Sequence, residues 1–200
     1  MSAHDPRERA EQRTVLLPRR DPAGDLLPVL HRVQEYVIEG VLGVGGFSIV
    51  YKVLDTRLNR RVAIKEYIPA TLAMRGPRGE VVPRSPNHRE HFELGLNSFI
   101  NEARLLASFD HPALVKVYRF WADNGTAYMV MPYYEGMTLR QWLTSLGTRP
   151  SEAWLRHLAG ELTDALEALH RQNCYHRDVA PDNILLLHDR GGGSLPVTAP

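Results

Sequence analysis

Along the first two dozen residues the apolar positions follow no period. Residues 2–25 alternate Arg, Glu, Pro and Gly around one apolar patch at 15–17, which predicts a charged, disordered tail over residues 1–33. From Tyr36 the pattern changes. Residues 36–42 read as a strand, 43–46 as a glycine turn, and 48–55 (SIVYKVLD) as a second strand rich in β-branched and aromatic residues. A polar break at 56–60 precedes a third strand at 61–67, so these segments form an antiparallel meander. Pro69, Pro77, Pro83 and Pro86 mark residues 69–86 as an inserted loop or small hairpin, within an insertion that extends to residue 95. Over residues 94–108 the spacing of Leu96, Phe99, Ile100, Ala103, Leu106 and Ala107 puts an apolar stripe on one helix, ended by His111-Pro112. Two further strands, 114–121 and 126–132, flank a turn at Asp123-Asn124-Gly125.

After Tyr134 the period becomes helical. Residues 138–146 predict a short helix and 151–171 a long one, with a stripe of Trp154, Leu155, Leu158, Leu162, Ala165, Leu166 and Leu169. Ser151 is its N-cap, and Glu152 sits favourably near the positive end of the helix dipole. A polar loop over 174–183, a short apolar strand over 184–187 and a flexible glycine turn at 191–193 complete the pattern. Strands first and helices afterwards, without alternation, mean an α+β fold. A strand-rich unit occupies residues 34–132 and a helical unit 133–200.

Charge and composition narrow the chemistry. Lys+Arg number 24 against 23 Asp+Glu, a net charge of +1, which argues against nucleic acid or a membrane surface as a partner held by bulk charge. The single cysteine, Cys174, excludes an internal disulfide framework and a Cys-rich zinc site, and fits a reducing, cytoplasmic setting. No apolar run approaches the roughly 18 residues of a membrane span. Residues 1–13 are charged throughout, so they do not form the apolar core of a signal peptide. The basic residues are almost all arginine; lysine stands only at Lys52, Lys65 and Lys116, which singles out a lysine inside a motif.

Three segments carry candidate chemistry. Gly43-Val44-Gly45-Gly46-Phe47-Ser48-Ile49-Val50 lies at a strand–turn–strand junction, where glycines let backbone N–H groups approach phosphate oxygens. A glycine-rich hairpin turn without a ligand reads equally well from this segment alone. Val62-Ala63-Ile64-Lys65 places a lysine among apolar neighbours, which is costly without an anionic partner. Glu102, beside the apolar stripe of the following helix, is the candidate; the alternatives are a lysine snorkelling from an edge strand and a surface glutamate. His176-Arg177-Asp178-Val179-Ala180-Pro181-Asp182-Asn183 puts a carboxylate and an amide oxygen on one loop. The carboxylate suits orienting a hydroxyl, and the amide suits ligating a hard cation; by composition alone the segment also reads as a polar loop with a helix-capping aspartate.

In this order the three segments resemble the protein kinase superfamily, and most closely its bacterial Ser/Thr-type members, over residues 36–188. The resemblance implies a two-lobed fold, with a five-stranded antiparallel sheet plus one helix and an incomplete helical lobe. It implies transfer of phosphate from ATP, with magnesium, to a serine or threonine hydroxyl of a protein substrate; the alternatives are a nucleotide-binding pseudokinase scaffold and a small-molecule phosphotransferase of the same fold. Gly43, Gly45 and Ser48 would roof the phosphates, with Leu42 alongside. Lys65 would hold the α- and β-phosphates and pair with Glu102, Asp178 would orient the acceptor hydroxyl, and Asn183 would bind magnesium. Val50, Ala63 and Leu185 would sandwich the adenine, Met131 would be the gatekeeper, and Pro132 C=O and Tyr134 N–H would meet the adenine edge.

Three departures bear on activity. Ser48 replaces the third glycine of the loop, and Ala180 replaces the lysine that Ser/Thr kinases usually place there. No Asp-Phe-Gly follows Asn183 before Pro200, and Asp189, without a following Phe-Gly, is a poor substitute. The 200 residues alone are therefore expected to be catalytically dead or nearly so, with the apolar stripe of the long helix exposed and the chain prone to stick.

Overall fold

The computed structural model describes residues 24–176, 178–187 and 196–198. The apolar patch at 15–17, Asp189 and the glycine turn at 191–193 lie outside the described residues. In chain order the elements are β1 (Arg32–Val33), β2 (Tyr36–Val44), β3 (Ser48–Asp55), β4 (Arg60–Tyr67), β5 (Ala73–Arg75), β6 (Val81–Pro83), α1 (Arg89–Ala107), β7 (Arg119–Asp123) and β8 (Thr126–Pro132). The helical part follows with β9 (Gly136–Thr138), α2 (Leu139–Ser145), α3 (Glu152–His170), β10 (Ile184–Leu187) and β11 (Pro196–Thr198).

The main sheet has six strands in the order β1-β2-β3-β4-β8-β7, antiparallel throughout, and not five. The additional strand is the two-residue β1, which pairs Arg32 with Val37 and Val33 with Tyr36. It belongs to the segment read as tail. Residues 24–33 are ordered against the sheet, with Leu27, Val33 and Asp25 buried. Single apolar residues between charges have no period, so their burial depends on the sheet they cover.

Strand period explains why both faces of this sheet are covered. Along β3, Ile49, Tyr51 and Val53 are fully buried on one face, while Val50 and Lys52 point to the other. Cross-strand register puts Val50 opposite Lys65 and Ala63 opposite Met131 on that second face, where α1 docks. Tyr67 meets Phe92 and Phe99 of α1 at centroid distances of 5.4 and 5.7 Å. Gly95 lets the helix lie this close, because a Cβ there would strike the Tyr67 hydroxyl. α1 starts at Arg89, not at residue 94, because Phe92 is buried on Tyr67 and draws the first turns into helix.

The proline-rich insertion is a hairpin, β5–β6, on the outer face. Arg75 of this hairpin reaches Glu66 of β4 with hydrogen bonds of 3.1 and 2.6 Å, and Glu66 is wholly buried. The same arginine donates through Nε to the Asp25 carbonyl at 2.9 Å, and its backbone N–H donates to the Asp25 carboxylate at 2.9 Å. Tyr51 Oη donates to Glu66 and accepts from Leu27 N–H, each at 3.2 Å. One buried ion pair thus ties together the insertion, the N-terminal segment and the strand that carries Lys65.

The strand expected at 114–121 begins only at Arg119. Leu114 is buried with Phe109 and Ala113 against Ala165 and Leu169 of α3, so the chain crosses to the helical part before it can join the sheet. The stripe of α3 is consequently not left open. Leu158, Ala165 and Leu169 are buried, Trp154, Leu162 and Leu166 are half-buried, and within the stripe Leu155 alone is exposed. Residues 109–114, α2 and β10 cover it, with Trp142 and Trp154 stacked at 4.2 Å. Ser151 caps α3 by accepting from Trp154 N–H at 3.2 Å.

Candidate active site

The glycine turn closes β2 onto β3 with register shifts between Ile38 and Gly40 and between Val41 and Gly43. Gly45 N–H donates to Ser48 C=O at 2.8 Å, while Gly46 and Phe47 carbonyls accept from Ala70 and Ile68 at 2.9 and 3.0 Å. Neither Gly43 nor Gly46 has a positive φ, and a Cβ on either would meet nothing within 4 Å. The chain's own packing does not require glycine there. Leu42 is exposed at this turn.

Lys65 lies on β4, and its side chain is only 14% exposed. Its Nζ is 3.5 Å from Glu102 Oε1 on α1 and 5.8 Å from the Phe99 ring centroid. Strand and helix meet here because Phe99 and Ala103, one turn apart on α1, bury against the sheet and bring Glu102 to its edge. Beside Lys65 the same face presents Val50, Ala63 and Met131, with Pro132 opposite Val62 at the end of β8. Tyr134 and Leu185 pack half-buried against this core from the helical side. Burial pushes the Tyr134 phenol above its ordinary range.

The loop before β10 forms a second polar cluster. Pro181–Asn183 make one 3-10 turn, in which Asn183 N–H donates to Ala180 C=O at 2.9 Å. Asn183 Nδ2 donates to Asp178 Oδ2 at 2.9 Å and to Asp178 C=O at 3.0 Å. Among the described residues, Asp178 Oδ1 and Asn183 Oδ1 accept no hydrogen bond. These oxygens are hard ligands of the type that magnesium takes together with phosphate oxygens and water. No group of three or more His, Cys, Asp or Glu able to hold a metal occurs among the described residues.

Two features escaped sequence reasoning. Arg140 on α2 grips both carboxylate oxygens of Asp182 at 2.8 and 2.7 Å, tethering the loop to a helix. His176 Nδ1 is buried without a partner among the described residues. The Arg140–Asp182 pair has no local signal, since it joins residues 42 apart; His176 opens the string that the sequence singled out, but its burial is not legible there.

Residues 36–192 match the protein kinase domain family. The chain is 37% identical over 156 residues to "Probable serine/threonine-protein kinase pknA2" of Bifidobacterium longum, covering 78% of this chain and 18% of that protein. It is 32% identical over 154 residues to "Serine/threonine-protein kinase PrkC" of Bacillus subtilis, covering 76% and 21%. The chain thus spans a small part of the length of these relatives. The solved structure "PpkA-294 apo form" superposes with a TM-score of 0.81 at 41% identity, covering 88% of this chain and 61% of that one. The Mycobacterium tuberculosis PknI kinase domain shares the fold, with a TM-score of 0.64 at 20% identity, 87% of this chain and 62% of that one covered. With the glycine turn, the Lys65–Glu102 pair and the Asp178–Asn183 loop in one fold of this class, the chain belongs to the protein kinase family.

Proposed function

We propose that the cleft binds ATP with magnesium and serves transfer of the γ-phosphoryl group to a serine or threonine hydroxyl of a protein. The observation that carries this reading is the 3.5 Å pair between Lys65 and Glu102. It fixes a nearly buried ammonium beside an apolar shelf, where the α- and β-phosphates of a bound nucleotide would lie. Val50, Ala63 and Leu185 sandwich the adenine, and Met131 limits the depth of its pocket. Pro132 C=O accepts from the adenine edge and Tyr134 N–H donates to it. The backbones of Gly43, Gly45 and Ser48 roof the phosphates beside Leu42. Asp178 orients the acceptor hydroxyl through Oδ1, the oxygen that Asn183 does not engage. The acceptor oxygen bonds to the γ-phosphorus as the bond to the β–γ bridging oxygen breaks, ADP leaves, and the hydroxyl proton passes to Asp178. Asn183 would hold magnesium through its side-chain oxygen, and the ion would supply charge neutralisation when bound.

Residues 1–200 contain no Asp-Phe-Gly, so they bind nucleotide but transfer phosphate slowly or not at all. No helix among the described residues is long and apolar enough to cross a membrane. A cytoplasmic setting, where ATP is available, and a protein rather than a nucleic acid as partner fit this reading.

Titration with a non-hydrolysable ATP analogue tests the site. Lys65→Met should weaken binding about tenfold or more, and Asn183→Ala should remove its dependence on magnesium. In the full-length gene product, transfer to Ser/Thr peptides should vanish with Asp178→Asn. Failure to bind nucleotide refutes the site, whereas binding without transfer by the full-length product identifies a nucleotide-binding scaffold.

A further inference from the structure

Away from the cleft, charge gathers around the turn between β3 and β4. Arg32, Gln34, Glu35, Thr56, Arg57 and Arg119 line one groove of about 470 Å³. Two guanidiniums converge on a single carboxylate oxygen, Arg119 Nη1 at 2.7 Å and Arg57 Nε at 3.9 Å from Glu35 Oε1. The third, Arg32, donates to Thr56 Oγ1 at 3.3 Å, and that hydroxyl donates to the Glu35 carbonyl at 2.7 Å. Arg119 is held in place by Gln34 Oε1 at 2.8 Å and by the Trp121 ring, whose centroid lies 5.0 Å away.

Depth and charge are separated in this groove. The Glu35 side chain is 11% exposed and forms the floor, whereas Arg57 is 76% exposed at the rim. Three guanidiniums against one carboxylate leave the lining at +2. The neighbouring Asp55 carboxylate is committed to the turn itself, accepting from Arg57 N–H and Leu58 N–H at 3.0 Å each, and counting it still leaves the cluster positive. Among the described residues the Arg57 guanidinium makes no hydrogen bond, only the 3.9 Å approach to Glu35. Its five donors are unspent.

We propose that this groove binds a phosphate monoester dianion. Guanidinium forks match phosphate oxygens two at a time, and a dianion is the stronger counter-charge to a lining of +2. The groove is in the size range of sites that also hold the carrier of such a group. The near-neutral net charge of +1 over the whole chain argues against a polyanion as that carrier, so a single phosphorylated group fits best.

Isothermal titration at low salt tests this with three probes: the capped tripeptide Ala-phosphothreonine-Ala, inorganic phosphate and the capped tripeptide Ala-Thr-Ala. Saturable binding of a phosphate-bearing probe is expected, weakened about tenfold by Arg57→Gln and reduced by added salt. Lys65→Met should leave it unchanged, which separates the groove from the nucleotide cleft and makes the outcome independent of the kinase reading. Phosphopeptide binding at least tenfold tighter than inorganic phosphate (roughly one hydrogen bond to charge) assigns the groove to phosphorylated proteins. Equal affinities assign it to free phosphate, and either result supports the site. The proposal is overturned if no phosphate-bearing probe saturates, if Ala-Thr-Ala binds equally well, or if folded Arg57→Gln retains full affinity.

Discussion

Replacing Arg75 by methionine should be the most damaging single substitution outside the cleft. Methionine keeps much of the aliphatic stem but removes the two hydrogen bonds of 3.1 and 2.6 Å to Glu66. Glu66 has no exposed surface and the Arg75 side chain only 7%, so water cannot replace the lost partner. The Tyr51 hydroxyl remains, but it is neutral. Breaking a buried pair from one side costs about 3–5 kcal/mol, because a carboxylate is left desolvated and uncompensated. The Nε bond to the Asp25 carbonyl is lost as well, which loosens the N-terminal segment, although the backbone N–H of residue 75 still donates to the Asp25 carboxylate. For a domain of this size each kcal/mol moves Tm by about 2–4 °C, giving a fall of roughly 6–20 °C. Thermal unfolding followed by circular dichroism measures it. Adding Glu66→Met should recover most of the loss, since an apolar pair of similar volume carries no desolvation cost. A fall of less than about 2 °C, or a double variant no better than Arg75→Met, would refute the assignment of this pair as the tie between insertion and sheet.

Two further predictions concern stability. Burial raises the phenols of Tyr51 and Tyr128 well above their ordinary 10.0, with Glu66 adding to the shift in both. Their contribution is therefore intact below about pH 10 and is lost as pH climbs from there towards the raised native values; spectrophotometric titration should show these tyrosines ionising only as the chain unfolds, and normal titration of all eight tyrosines in the folded state would contradict this. Ser151→Ala should cost about 1 kcal/mol through the lost bond to Trp154 N–H; no change in the urea midpoint would mean that α3 is held by its stripe alone.

Local pattern made the strand-rich part legible. Alternation placed β3 at 48–55 without error and β4 within one residue, because β-branched residues at period two have no competing reading. Capping chemistry likewise placed Ser151 before α3. Errors arose where an element owes its form to a distant partner. Residues 24–33 lack a period and order only because Leu27 and Val33 cover apolar positions of the sheet. Residues 115–118 are apolar enough for a strand, and Val115 and Val117 are buried in the core of the sheet, yet with Leu114 buried on α3 regular pairing starts only at Arg119. The stripe of α3 was expected to lie open, but residues 109–114, α2 and β10 close over it.

The candidate site divides in the same way. Residue type and order made Lys65, Asp178 and Asn183 candidates, and the order of the three segments, through its resemblance to protein kinases, gave them roles. The pairing of Lys65 with Glu102 across 37 residues depends on α1 docking through Phe92, Phe99 and Gly95, a matter of packing that no local window contains. The same holds for Arg75 with Glu66, for Arg140 with Asp182 and for the arginines around Glu35. A charge in sequence declares only its sign. Its partner, its burial and hence its energy are decided by which surfaces the folded chain brings together, since desolvation and distance exist only in three dimensions.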